Sequence, residues 1–137
     1  MRRERRISSA SMMVERDKAM SDLKMPSGLV TSVREEGEAL VVCVSGEIDL
    51  SNSPKLRGAL LALVARHSPR RLVLNLGRVP YMDSSAVAVL VEMLRKVPKG
   101  GCVALTDLQP RVKGLLEIAR LDSIFLIVGT EQDALAK

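Results

Sequence analysis

Asp83, Ser84 and Ser85 stand together between two apolar stretches, 72–76 and 87–97. Gly77 and Pro80 mark a turn after the first stretch, and Tyr81-Met82 lead directly into the three polar residues. The first stretch reads as a strand and the second as a helix, so a carboxylate and two hydroxyls fall where a helix begins. The first turn of a helix has free backbone N–H groups and the positive end of the helix dipole. Two chemistries suit that place. One is capping: the Asp83 or Ser84 side chain accepts from an amide two or three residues on, worth about 1 kcal/mol. A cap accounts for one of these residues, not three. The other is phosphoryl acceptance. A serine hydroxyl at a helix start is open to a kinase, and a phosphate there adds about −1.5 to −2 charges that the helix N-terminus accommodates. The fold would survive and the surface would change.

Catalytic readings find less support. No glycine-rich phosphate loop follows a strand, since Gly100-Gly101 precedes one. No G-x-S-x-G elbow surrounds Ser84. The one histidine, His67, closes a helical pattern and reads as a C-terminal cap or surface residue rather than a base. Asp and Glu are not clustered at metal spacing. Cys43 and Cys102 lie in separate predicted strands and read as free, buried thiols. The expectation is a non-enzyme with no cofactor and no metal.

Composition narrows the partners. Aromatics make up 1% of 137 residues, Tyr81 and Phe125 alone, with no Trp. That disfavours base stacking on nucleic acid and a sugar-binding cleft. The net charge of +5 is uneven: residues 1–28 carry seven Lys/Arg against four Asp/Glu, and the remainder is close to neutral. Residues 1–28 are expected to be a basic, disordered tail closed by Pro26-Ser27-Gly28, with no direct nucleic-acid contact. No run approaches the roughly 18 apolar residues of a membrane helix. Arg2 to Arg6 is not followed by an apolar stretch, so a cytoplasmic protein without membrane insertion is expected.

Residues 29–137 read as one α/β domain. Strands are expected at 29–34, 39–45, 71–76, 102–106 and 124–128, the first two as a hairpin across Glu35-Glu36-Gly37-Glu38. Ser53-Pro54 reads as an N-cap and first helical residue, and Leu56, Ala59, Leu60, Leu63 and Val64 then share one face. A second helix over 85–97 turns Val87, Leu90, Val91 and Leu94 inward, with Ala88 and Val89 widening that face. A third starts at Gln109-Pro110, and a short fourth at Glu131 is capped by Thr130. The order is ββαβαβαβα. Right-handed crossovers then give a mixed, mostly parallel sheet with the first strand antiparallel, and about four helices.

Three pieces in order, Gly46-Glu47-Ile48-Asp49, Leu72-Val73-Leu74-Asn75-Leu76 and Tyr81-Met82-Asp83-Ser84-Ser85-Ala86, followed by Gly100-Gly101, resemble the STAS domain of bacterial anti-sigma factor antagonists. The resemblance covers about residues 29–135. It implies a partner-switching protein that binds an anti-sigma factor when unphosphorylated. That partner is also a serine kinase, and a metal-dependent serine phosphatase reverses its action. By position the acceptor is Ser84, with Ser85 the less favoured neighbour. Asp49 and Asp83 match the acids beside the acceptor, and Asp49, Asp83, Ser84, Ser85 and Ala86 form the implied partner-binding set. The family usually has Gly where this chain has Ala86, which is expected to place a methyl beside the acceptor. A stressosome-like scaffold, or the STAS subunit of a lipid-transport ABC complex, is the alternative the same resemblance allows.

Overall fold

The Val-rich segment Ala39–Ser45 forms a strand with a neighbour on each side, and the rest of the domain is laid down from it. In the computed structural model, which describes residues 28–137, the elements are β1 (Val30–Glu36), β2 (Ala39–Ser45), α1 (Ser53–His67), β3 (Arg71–Arg78), α2 (Ser84–Lys96), β4 (Cys102–Thr106), α3 (Pro110–Ile118), β5 (Leu126–Val128) and α4 (Glu131–Ala136). The expected tail, residues 1–28, lies outside the described residues except for Gly28. The five strands lie side by side in chain order, β1 antiparallel to β2 and the others parallel.

That order dictates the layers. Each right-handed crossover from β2 to β5 steps in the same direction, so α1, α2 and α3 gather on one face of the sheet. The main core forms there: Leu40, Val42, Leu72, Leu74, Val103 and Leu105 of the strands meet Leu56, Leu60, Leu63, Leu90, Met93 and Leu116 of the helices. The alternate strand residues Ala39, Val41, Val73 and Ala104 point the other way and are packed by Ala134 of α4. Strands covered on both faces read as continuous apolar runs, which is the pattern of Leu72-Val73-Leu74.

A polar cluster fastens α4 to the second face. Glu131 Oε2 accepts from Asn75 Nδ2 at 2.7 Å and from the Cys43 thiol at 3.7 Å, and Glu131 Oε1 accepts from Arg34 Nη2 at 2.8 Å. The Asn75 amide, with the Arg34 guanidinium, holds the Glu131 carboxyl below its ordinary range. Cys43 and Cys102 are free thiols, though half-buried rather than buried.

Two other expectations shift. His67 is the last residue of α1, but the cap is Ser68, in the left-handed region at φ 44°, and His67 Nδ1 instead meets Glu35 Oε2 at 2.6 Å. The α2 face is turned in part from the expected one: Val87, Val89 and Leu90 are buried as expected and Ala86 and Met93 join them, while Val91 and Leu94 are only partly buried and Ala88 is exposed.

Candidate functional site

The chain leaves β2 at Gly46, whose φ of 101° is open to glycine and strained for other residues. Its amide donates to Arg78 O at 2.9 Å, and the two loops beyond β2 and β3 then run side by side. Ile48 and Met82 form a parallel bridge, with Ile48 N donating to Tyr81 O at 3.0 Å and Asp83 N to Ile48 O at 3.1 Å. Both bridging side chains are buried in the core. Asp49 and Asp83 each follow the bridge by one residue, so the sheet places them next to one another at the C-terminal end of its parallel strands.

Each aspartate closes a turn of the same design. Asp49 Oδ1 accepts from the Ser51 amide at 2.9 Å and the Ser51 hydroxyl at 2.5 Å. Asp83 Oδ1 accepts from the Ser85 amide at 2.9 Å, the Ser85 hydroxyl at 2.5 Å and the Ala86 amide at 3.3 Å. Asp83 Oδ2 takes the Leu50 amide at 3.2 Å, tying one turn to the other. Asp83 is thus the N-cap of α2. Hydrogen bonds to the charged form hold both carboxyls below the ordinary range: the Ser51 hydroxyl leads at Asp49 and the Ser85 hydroxyl at Asp83. The nearby Asp83 charge works against that at Asp49.

The two serines are therefore unequal. Ser85 is half-buried and its hydroxyl is committed to Asp83. Ser84, the first residue of α2, is exposed, and its hydroxyl has no hydrogen-bond partner among the described residues. Ala86 does not belong with them. It is 0% exposed and packs in the main core. Ala86 thus presents no exposed side chain beside Ser84.

Sequence reasoning missed three residues here. Asn52, not Ser53, precedes the first residue of α1. Its Oδ1 accepts from Asp49 N at 2.9 Å and its Nδ2 donates to Glu47 O at 2.9 Å, so the side chain braces the Asp49 loop. Ser53 lies inside the helix and is buried. Leu50 is 74% exposed between the two acids; a lone leucine in a polar loop was the available signal. Arg111, at the start of α3, lies over the Tyr81 ring with its guanidinium carbon 5.2 Å from the centroid. Nothing in local spacing announces a contact across thirty residues. Gln109 Nε2, which donates to Gly77 O at 2.8 Å, fixes the start of α3 against the same end of β3.

Among the described residues no group of three or more His, Cys, Asp or Glu is placed to hold a metal ion, and no helix is long and apolar enough to cross a membrane.

Comparison with known proteins agrees with this geometry. Residues 31–134 match the STAS domain. The anti-sigma F factor antagonist of Paenibacillus polymyxa is 32% identical over 99 residues, covering 72% of this chain and 85% of the relative. The anti-sigma-B factor antagonist of Bacillus subtilis is 33% identical over 93 residues, 67% of this chain and 84% of the relative. The crystal structure of an anti-sigma factor antagonist from Mycobacterium paratuberculosis superposes with a TM-score of 0.72 at 31% identity, over 78% of this chain and 92% of that one. With the family matched across the sheet, its helices and the Asp83-Ser84-Ser85 corner, the chain belongs to the STAS domain family.

Proposed function

We propose that this protein is an anti-sigma factor antagonist, switched by phosphorylation of Ser84. Unphosphorylated, it binds an anti-sigma factor that is also a serine kinase, and the sigma factor is set free. The observation that carries this reading is the contrast at the helix start: the Ser84 hydroxyl is exposed and unengaged, and the Ser85 hydroxyl is bound to Asp83. A kinase can take the first without dismantling the α2 cap.

The consequence of modification is electrostatic. A phosphate on Ser84 joins Asp83 and Asp49, both held as carboxylates by their own turns. Three anions then share one corner. Burying such a group in an interface that was built around a neutral hydroxyl costs several kcal/mol of desolvation unless new cations meet it. The fold remains, because the helix N-terminus favours the anion. A metal-dependent serine phosphatase resets the protein, which itself performs no catalysis.

Incubation with its kinase and ATP should add one phosphate, and peptide mapping should place it on Ser84. Ser84→Ala should stay bound to the kinase and Ser84→Asp should be released, as read by calorimetry. A phosphate mapped to another residue rejects the site, and equal affinities of the two variants reject the switch.

A further inference from the structure

We infer that Arg111, presented on the Tyr81 ring, is a recognition anchor that takes a carboxylate of the anti-sigma factor in the unphosphorylated complex. The inference rests on the partner reading above and adds the chemistry by which this face would select its partner.

The first support is position. A specific interface covers roughly 800 Å² per partner, a disc on the order of 16 Å in radius. A kinase that reaches Ser84 therefore covers Tyr81, three residues upstream, and the guanidinium 5.2 Å from its centroid. The second is charge. Arg111 is exposed and, like Arg66, Arg78, Arg95 and Arg120, has no ion-pair partner among the described residues; what sets it apart from them is its seat on the Tyr81 ring. The first turn of α3 carries no acid, so the positive end of that helix adds to the charge of Arg111 rather than opposing it. The acids closest to the acceptor, Asp49 and Asp83, are spent on their own turns. The surface thus offers, on the Tyr81 ring, a guanidinium with no ion-pair partner among the described residues.

The third is preorganisation. An arginine on an aromatic face loses less side-chain freedom on binding and keeps its N–H donors for a planar, bidentate acceptor. A carboxylate fits that fork. Arginine and tyrosine are also the residue types that dominate binding energy at interface centres.

The test uses the full chain and, as probe, the anti-sigma factor kinase that binds it, with affinity measured by calorimetry at two salt concentrations. Arg111→Ala should weaken binding about tenfold or more and reduce its salt dependence. Arg111→Lys should fall between, because it keeps the charge and loses the fork. Tyr81→Leu should weaken binding as well, by freeing the guanidinium. Thermal unfolding of the Arg111 variants should match that of the wild type, since Arg111 is exposed, and the binding of Tyr81→Leu is compared at a temperature where its own unfolding curve shows it folded, since Tyr81 is half-buried. If the wild type binds, Ser84→Asp is released and Arg111→Ala binds as tightly as the wild type, the inference is overturned and the switch stands. If Ser84→Asp and Ser84→Ala bind alike, the switch itself has failed.

Discussion

Replacing Ala86 with glycine separates two roles that its place in the sequence left entangled. The side chain is fully buried, and the amide donates to the Asp83 cap at 3.3 Å. Ala86→Gly removes one buried methyl, about 0.8 kcal/mol by area transfer. It also introduces glycine into the first turn of α2, which costs about 0.5–1 kcal/mol in backbone freedom. Together the loss is about 1.5 kcal/mol, or about 6 °C in Tm for a domain of this size. Urea denaturation followed by circular dichroism should show a lower midpoint at unchanged slope. The rate of Ser84 phosphorylation should not change, because the methyl faces the core. A loss below about 0.5 kcal/mol would mean that the methyl is not packed as described. Faster phosphorylation at unchanged stability would mean that it shields the acceptor.

Two further outcomes follow from the hydrogen bonds. Ser85→Ala should still incorporate one phosphate at Ser84, checked by mass mapping, because the lost hydroxyl serves Asp83 and not the kinase. Glu131→Gln should lower the urea midpoint at neutral pH. The folded-state pKa of Glu131 is depressed, so its contribution is complete above the ordinary value of 4.5 and is lost as pH falls through the lower folded value. The gap between variant and wild type should therefore close as pH falls below 4.5; a gap constant with pH would show that the charge on Glu131 is not what fastens α4.

The element order and the mixed sheet were legible because alternation and run length mark strands, and Pro, Gly and capping residues mark ends. The phase of α2 was not. Residues 86–91 are all apolar, so spacing names no preferred face; packing between the sheet and α1 chose Ala86 and Met93 over Val91 and Leu94. The start of α1 was missed by one residue because Asn52 and Ser53 are both good caps, and the demand that decided between them came from the Asp49 loop. At the site, the acids and serines could be named from their types. Which serine was free could not, since that depends on which hydroxyl the Asp83 carboxylate captures in three dimensions. The Arg111–Tyr81 stack and the Glu131 cluster join residues 30 to 97 positions apart, beyond the reach of any local pattern.

The Ile48–Met82 bridge has a consequence for how Ser84 can be read. It is held by two backbone bonds and two buried side chains, so Ser84, the proposed acceptor, sits on a platform assembled from segments more than thirty residues apart. A synthetic peptide spanning 79–90 would keep the letters and lose the platform: no Leu50 amide for Asp83, no neighbouring Asp49, and a helix too short to persist alone in water. An enzyme that modifies Ser84 must therefore recognise a folded shape rather than a linear word. Its active site has to be open enough to admit a helix corner, and its selectivity has to lie in the matching of two surfaces.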